Sequence, residues 1–299
     1  MLTREVLMRW LKTILLSFIL TPGMAMAQVM EYSWVDFHGQ AQTMSVDIPY
    51  DRLESAMLSG KDRVSQKSIL KLSYDLARKI ASQASTPAVP VSVAGAQGRF
   101  FFAVNGDSKD SDTAFAQALR HELVLEINQS PERGYFIFDE DANGLRPDYL
   151  ALLSDNQDVF SIFARALMGK FGTDQPIELI NQMLAFLQQI PYDDMLQDPF
   201  PMATPIQLLV ERRGDCEAKQ VFLIGILQQL FPDRPMGLVN LPTFNHVLAA
   251  INLDSELESR VLHDGKPFVL MDATGPASLP FGKVFLYHRD AVTTSWIGI

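Results

Sequence analysis

A wholly apolar run, Val221-Phe222-Leu223-Ile224-Gly225-Ile226-Leu227, constrains this chain more than any other stretch. A helix carrying it has no polar side to turn toward water, so it belongs in the middle of a packed domain. Glu211-Arg212-Arg213-Gly214-Asp215-Cys216-Glu217-Ala218-Lys219-Gln220 leads into it. Gly214 supplies a backbone shape that other residues resist, and Asp215 is a good helix N-cap. Cys216 then falls in the first turn, beside unpaired backbone N–H groups that, with the helix dipole, favour negative charge. A buried helix aiming one sulfur outward from its start is a mount for a nucleophilic thiolate. Judged by residue type alone, an isolated Cys in a helix is more often a core side chain.

The start of the chain reads as an export signal. Arg4, Arg9 and Lys12 precede the mostly apolar run Thr13 to Leu20, and Ala25-Met26-Ala27 fits a small-x-small cleavage pattern. Residues 1–27 are therefore expected to be a signal peptide, and the protein a soluble periplasmic or secreted one with no membrane insertion after signal removal. No later stretch reaches the roughly 20 apolar residues that span a bilayer. Without the signal the chain holds 22 basic and 34 acidic residues (25 less 3, and 35 less 1), a charge of −12. That balance argues against a nucleic-acid or anionic-membrane partner. Cys216 is the single cysteine of the chain. An exported protein that keeps one oxidisable thiol invites a search for a partner base.

The chain alternates strand-like and helix-like segments. Glu31 to Phe37 and Thr43 to Ile48 suggest a hairpin around His38-Gly39-Gln40, followed by helices over 51–58 and 65–83. Residues 84–98, rich in Ser, Pro, Ala and Gly, read as a surface connection. A buried strand over 99–104, a helix over 113–128, a strand over 135–138 and helices over 148–169 and 176–189 come next. A soft boundary near Phe171-Gly172-Thr173-Asp174 divides residues 28–172, a mixed N-terminal α/β region, from residues 173–299. Pro205 opens a short helix that delivers the chain to Cys216. Strands are expected over 237–241, 246–253 and 268–271, and Val284 to Tyr287 and the tail near Trp296 read as further strands.

His246 begins one apolar strand and Asp272 ends another. If those strands pair, the helix bearing Cys216 can pack across them and bring the three side chains together. Cys216 would attack a carbonyl, and His246 would take the thiol proton and later give it to the leaving amine. Asp272 would hold the imidazole in the useful tautomer. The Cys216 N–H is a natural oxyanion donor, with a second from among Gln188, Gln189 and Tyr192. A core histidine and a strand-end turn cap are the plain alternatives for His246 and Asp272.

Arg213-Gly214-Asp215-Cys216-Glu217-Ala218-Lys219, Asn245-His246-Val247 and Met271-Asp272-Ala273-Thr274 resemble the transglutaminase-like superfamily, in particular exported bacterial members of the papain-like cysteine enzymes. The likeness covers roughly residues 175–290. It implies an α+β fold in which a Cys-bearing helix packs on an antiparallel sheet holding the His and Asp. It also implies a catalytic set of Cys216, His246 and Asp272 serving a peptidase, amidase or transglutaminase through an acyl-thioester. Members without activity point to the alternative, a periplasmic protein-binding or assembly module. The expected partner is a protein or peptide substrate, cell-wall peptides included.

No cofactor and no metal are expected. His38, His121, His263 and His288 are scattered, and one Cys offers no zinc-ligand spacing. Asp139-Glu140-Asp141-Ala142-Asn143-Gly144 opens like a calcium loop, but Leu150 stands where the bidentate Glu belongs, and an acidic turn is the better reading, with a non-standard calcium site completed by Asp148 as the alternative. Arg212-Arg213 reads either as a substrate-steering pair or as a solvated one.

Overall fold

The computed structural model describes residues 27–58, 66–96, 99–106, 108–139, 144–172, 175–193, 202–253, 257, 259–290 and 296–299. Among them the fold is α+β with antiparallel sheets. Almost all of the signal expected over 1–27, and residues 140–143 of the acidic turn, lie outside the described residues.

The first two strands, β1 (Ala27–Val35) and β2 (Ala41–Pro49), form the expected hairpin, with Tyr32 opposite Met44 and Trp34 opposite Gln42. Alternate residues Tyr32, Trp34, Met44, Val46 and Ile48 are buried, as a one-sided strand pair requires. Helices α1 (Tyr50–Leu58) and α2 (Gln66–Ala84) follow. Next come β3 (Val91–Ala96) and β4 (Arg99–Val104), paired to each other, and the long α3 (Lys109–Gln129). The connection read over 84–98 therefore contains a strand. The strand read as buried over 99–104 is a partly exposed hairpin arm, with Phe101 58% exposed. Strands β5 (Phe136–Asp139) and β6 (Gly144–Pro147) pair, and three helices follow: α4 (Tyr149–Asp155), α5 (Gln157–Phe171) and α6 (Pro176–Gln189).

The second half is organised around α8 (Cys216–Leu230), introduced by the short α7 (Pro205–Glu211). Thr204 and Gln207 cap α7 reciprocally, and Pro205 occupies its first turn. Strands β7 (Met236–Leu241), β8 (His246–Ile251), β9 (Arg260–His263), β10 (Lys266–Met271) and β11 (Trp296–Gly298) make one antiparallel sheet in the order β11-β7-β8-β10-β9. β8 and β10 are neighbours as expected, with Met271 opposite Ala249, but the polar stretch between them also contributes β9. Val284 to Tyr287, read as a strand, instead leads into the helical turn α9 (Leu286–Asp290).

Both faces of β7, β8 and β10 are covered, which is why these strands read as largely apolar runs. Val247, Ala249, Ile251, Val269 and Met271 join the main core with Val221, Phe222, Leu223 and Leu227 of α8. Leu248, Ala250, Phe268 and Leu270 meet Val239, Leu241 and Val284 on the far face. The main core runs on across residue 172 into the first half of the chain. There Tyr32 and Trp34 meet Phe163, Phe186 and Phe171 ring against ring, and Phe222 of α8 meets Phe163 with centroids 5.1 Å apart. Trp34 Nε1 donates to Gln182 Oε1 at 3.0 Å inside this cluster, and Gln189 bridges both backbone groups of Val35. A smaller apolar cluster gathers Ala77, Ile80, Val91, Leu119, Leu123 and Ile127 from α2, β3 and α3.

Candidate active site

Asp215 caps α8 as its position suggests. Its Oδ1 accepts from Ala218 N at 2.7 Å and its Oδ2 from Ala203 N at 3.2 Å. Burial, and then the neighbouring Glu217 charge, push its carboxyl up to about 7. The left-handed turn before it is made by Arg212 (φ 53, ψ 38), not by Gly214. Gly214 is needed for space: a Cβ there would lie 2.6 Å from Leu208 Cδ1. Its N–H donates to Pro191 O and its O accepts from Asp193 N, so the Tyr192 segment is drawn alongside the cysteine's lead-in.

The sulfur of Cys216 is not aimed outward. The residue is 3% exposed, and its thiol donates to Glu217 Oε2 at 2.8 Å. Burial first, and then the Glu217 carboxylate, push the thiol well above its ordinary range, opposing the helix dipole. Tyr149 of α4 is buried as well. Its phenol is raised by burial and then by the charges of Glu217, Cys216 and Asp215.

The N–H of Val247, the residue after His246, bonds to the sulfur, so Cys216 sits at the start of β8. His246 is presented by Asn245, which takes a left-handed turn (φ 47, ψ 51) ahead of the strand. His246 Nε2 meets Asp272 Oδ2 at 3.0 Å. A carboxylate only accepts, so Nε2 carries the proton and the lone pair is left at Nδ1. This is the tautomer a general base needs. Asp272 in turn is fixed by its other oxygen, which accepts from Gln220 Nε2 at 3.2 Å and from Thr274 N at 3.0 Å. Burial raises its carboxyl, but the His246 contact and the Thr274 bonds outweigh burial and hold it below the usual range.

Lys219, which stood out only as part of the cysteine segment, and Gln188 prove structural. Lys219 is fully buried, and its Nζ donates to Ile190 O and Thr274 O, each at 2.6 Å. Desolvation lowers its pKa to about 8 against the opposing pull of Asp272 and Asp215. Gln188, a candidate oxyanion donor, spends its amide on Asp272 O (2.7 Å) and Leu279 O (2.8 Å) and accepts from Leu279 N. Gly275 passes so near that a Cβ there would overlap the Gln188 carbonyl, and its φ of 67 suits glycine. Gln189 is likewise spent, on Val35 and Ala185. Tyr192 stays half exposed.

The arginine pair is structural as well. Arg212 donates to Glu31 O and lies over the Tyr32 ring, while Arg213 pairs with Asp193 at 2.9 Å and Glu211 at 3.2 Å. Asp139, the first residue of the acidic turn, pairs with Arg146.

His288 was not singled out by spacing. It stacks on His246 with centroids 4.7 Å apart, and its Nδ1 lies 3.9 Å from Asp272 Oδ2. Burial, and then the nearby His246, lower its pKa. The structure therefore brings His246 and Asp272 into contact, sets Cys216 at the base of the His246 strand with its proton turned to Glu217, and adds His288. Compared with protein-family models, curated proteins and solved structures, this chain matches none.

Proposed function

We propose that the chain is an exported thiol enzyme with a transglutaminase-like core, cleaving or transferring amide bonds of protein or peptide substrates through an acyl-thioester at Cys216. The observation that carries this reading is the His246–Asp272 contact at 3.0 Å, with the carboxylate held by Gln220 and Thr274 and the base-competent ring nitrogen left at Nδ1. A core histidine has no need of a buried, separately anchored carboxylate. In the reaction the Cys216 proton passes to His246 Nδ1, the sulfur adds to the carbonyl carbon, and the same proton leaves on the departing amine. Water or a second amine then displaces the thioester. The Cys216 N–H, at the first turn of α8, faces the developing oxyanion; Gln188 and Gln189, expected as second donors, are spent on other partners.

A second reading, a non-catalytic binding or assembly module that keeps this core, draws on one specific observation: the thiol is 3% exposed and gives its proton to Glu217. The two separate in a trapping experiment. A peptidyl vinyl sulfone adds an activated thiol across its double bond, and intact mass reads the adduct. The enzyme reading expects an adduct on the folded protein that is lost in Cys216→Ala and slowed at least tenfold in His246→Gln, a factor within the range of general-base effects. No adduct before unfolding would favour the module.

A further inference from the structure

We propose that His246, Asp272 and His288 form a binding site for a divalent transition-metal ion of the zinc class. One ring nitrogen from each histidine and one carboxylate oxygen all lie within 4.8 Å of one another. His246 Nε2 and His288 Nδ1 stand 3.0 and 3.9 Å from the same oxygen, Asp272 Oδ2. Ligand atoms at about 2.1 Å from a tetrahedral zinc ion stand roughly 3.4 Å apart, so the observed separations bracket what an ion needs.

His288 gives the proposal its second leg. Its side chain is 10% exposed, yet Nδ1 has no hydrogen-bond partner among the described residues. A buried ring nitrogen left unpaired is costly, and an ion would supply its missing partner. The ring cannot easily turn away. It stacks on His246 and meets Phe244, Phe285 and Tyr287 at centroid distances of 5.2, 5.8 and 4.4 Å. Asp272 is equally constrained, because Gln220 and Thr274 hold its Oδ1 and leave Oδ2 facing the rings. Outer bonds of this kind orient metal ligands. The nearby Lys219 ammonium is committed to the carbonyls of Ile190 and Thr274.

The donor set selects the ion. Two imidazoles and one carboxylate suit zinc, cobalt or iron, whereas calcium and magnesium prefer oxygen alone. Three protein ligands leave a position open. Sequence spacing could not reveal the set, whose members are 26 and 16 residues apart (272 − 246 and 288 − 272). One consequence rests on the thiol-enzyme reading: with Nε2 bound to an ion the neutral ring carries its proton at Nδ1, and His246 could no longer accept the Cys216 proton.

The experiment is titration of the full chain, freed of metal with a chelator and desalted, with Zn2+ by calorimetry and with Co2+ by visible absorption. It needs no substrate, so its outcome is independent of the catalytic reading. Expected are one Zn2+ per chain, unchanged affinity in Cys216→Ala and His38→Ala, and at least tenfold weaker binding in His288→Ala and Asp272→Asn. The Co2+ form should show tetrahedral or five-coordinate bands without a thiolate charge-transfer band. Equal binding by wild type and His288→Ala would overturn the site, as would a charge-transfer band that disappears in Cys216→Ala. Circular dichroism checks each fold, and should His288→Ala not fold, His246→Gln and Asp272→Asn decide the matter alone.

Discussion

Two apolar regions of this molecule, the smaller cluster and the core around the start of α8, are built from the same kinds of residue and differ in what else they bury. In α2, β3, β4 and α3, the buried polar side chain among the described residues is Ser73, whose hydroxyl bonds Ile69 O within its own helix. At the start of α8, by contrast, Asp215, Lys219, Gln220, Asp272, Gln188, Thr274 and His288 are all buried. The first region is held by area removed from water and tolerates imprecision. The second places desolvated charges where each must find a partner, and its geometry is set by directional bonds. Gln220 Oε1, Thr274 Oγ1 and His288 Nδ1 lack one even so. Such an arrangement costs stability unless it fixes something, and what it fixes is the orientation of His246 and Asp272.

The contrast can be broken from either side. Lys219→Met should have the largest effect. The thioether fills the space but leaves Ile190 O and Thr274 O buried without their donor, and about 3 kcal/mol or more of stability should be lost in urea unfolding, with Cys216 becoming freely alkylated. A loss below about 1 kcal/mol would mean the ammonium does not hold the two loops. Ile127→Ala, in the smaller cluster, should cost about 2–4 kcal/mol by leaving a cavity. Hydrogen exchange should accelerate in α2 and α3 while labelling of Cys216 stays as in wild type. Spread of that acceleration to α8 would show that the two clusters unfold as one.

A smaller effect is expected from pH. The Asp215 carboxyl lies near 7 when folded against an ordinary value of 3.8. Between those values the unfolded chain has released the proton and the folded one has kept it, so this group's contribution to stability falls as pH rises from about 4 to 7. Asp272 runs the other way, in a lower window, since its folded value lies below the ordinary one. Asp215→Asn retains the helix cap and should flatten the decline between pH 4.5 and 7 by more than about 1 kcal/mol. An unchanged slope would refute the burial argument. The smallest effect, under about 0.5 kcal/mol, is expected for Lys71→Ala, which removes an exposed pair with Asp75 on α2.

Much of the second region was legible before any coordinates. The apolar run 221–227 demanded a buried helix, Asp215 announced its start, and the runs ending at Asp272 and starting at His246 announced neighbouring strands. Turn chemistry and period carry that information locally. Val91–Ala96 was hidden because its Ala- and Gly-rich composition reads as loop, and only pairing with the next strand makes it β. Val284 to Tyr287 misled in the opposite sense: β-prone residues lead into a helical turn that seats His288 beside Asp272. The burial of Cys216 could not be read either, since it depends on tertiary packing around the start of α8 and not on the local pattern. Gln188 looked like an oxyanion donor because spacing cannot tell a side chain aimed into a cleft from one spent on the Asp272 loop.

The central claim is that Cys216, His246 and Asp272 act as one unit, and alkylation of the folded protein tests it most directly. Iodoacetamide labelling of Cys216, followed by intact mass from pH 5 to 10, should be at least tenfold faster at pH 7 in wild type than in His246→Gln, with Asp272→Asn in between. Identical pH profiles in wild type and His246→Gln would contradict the claim and leave the sulfur a core side chain.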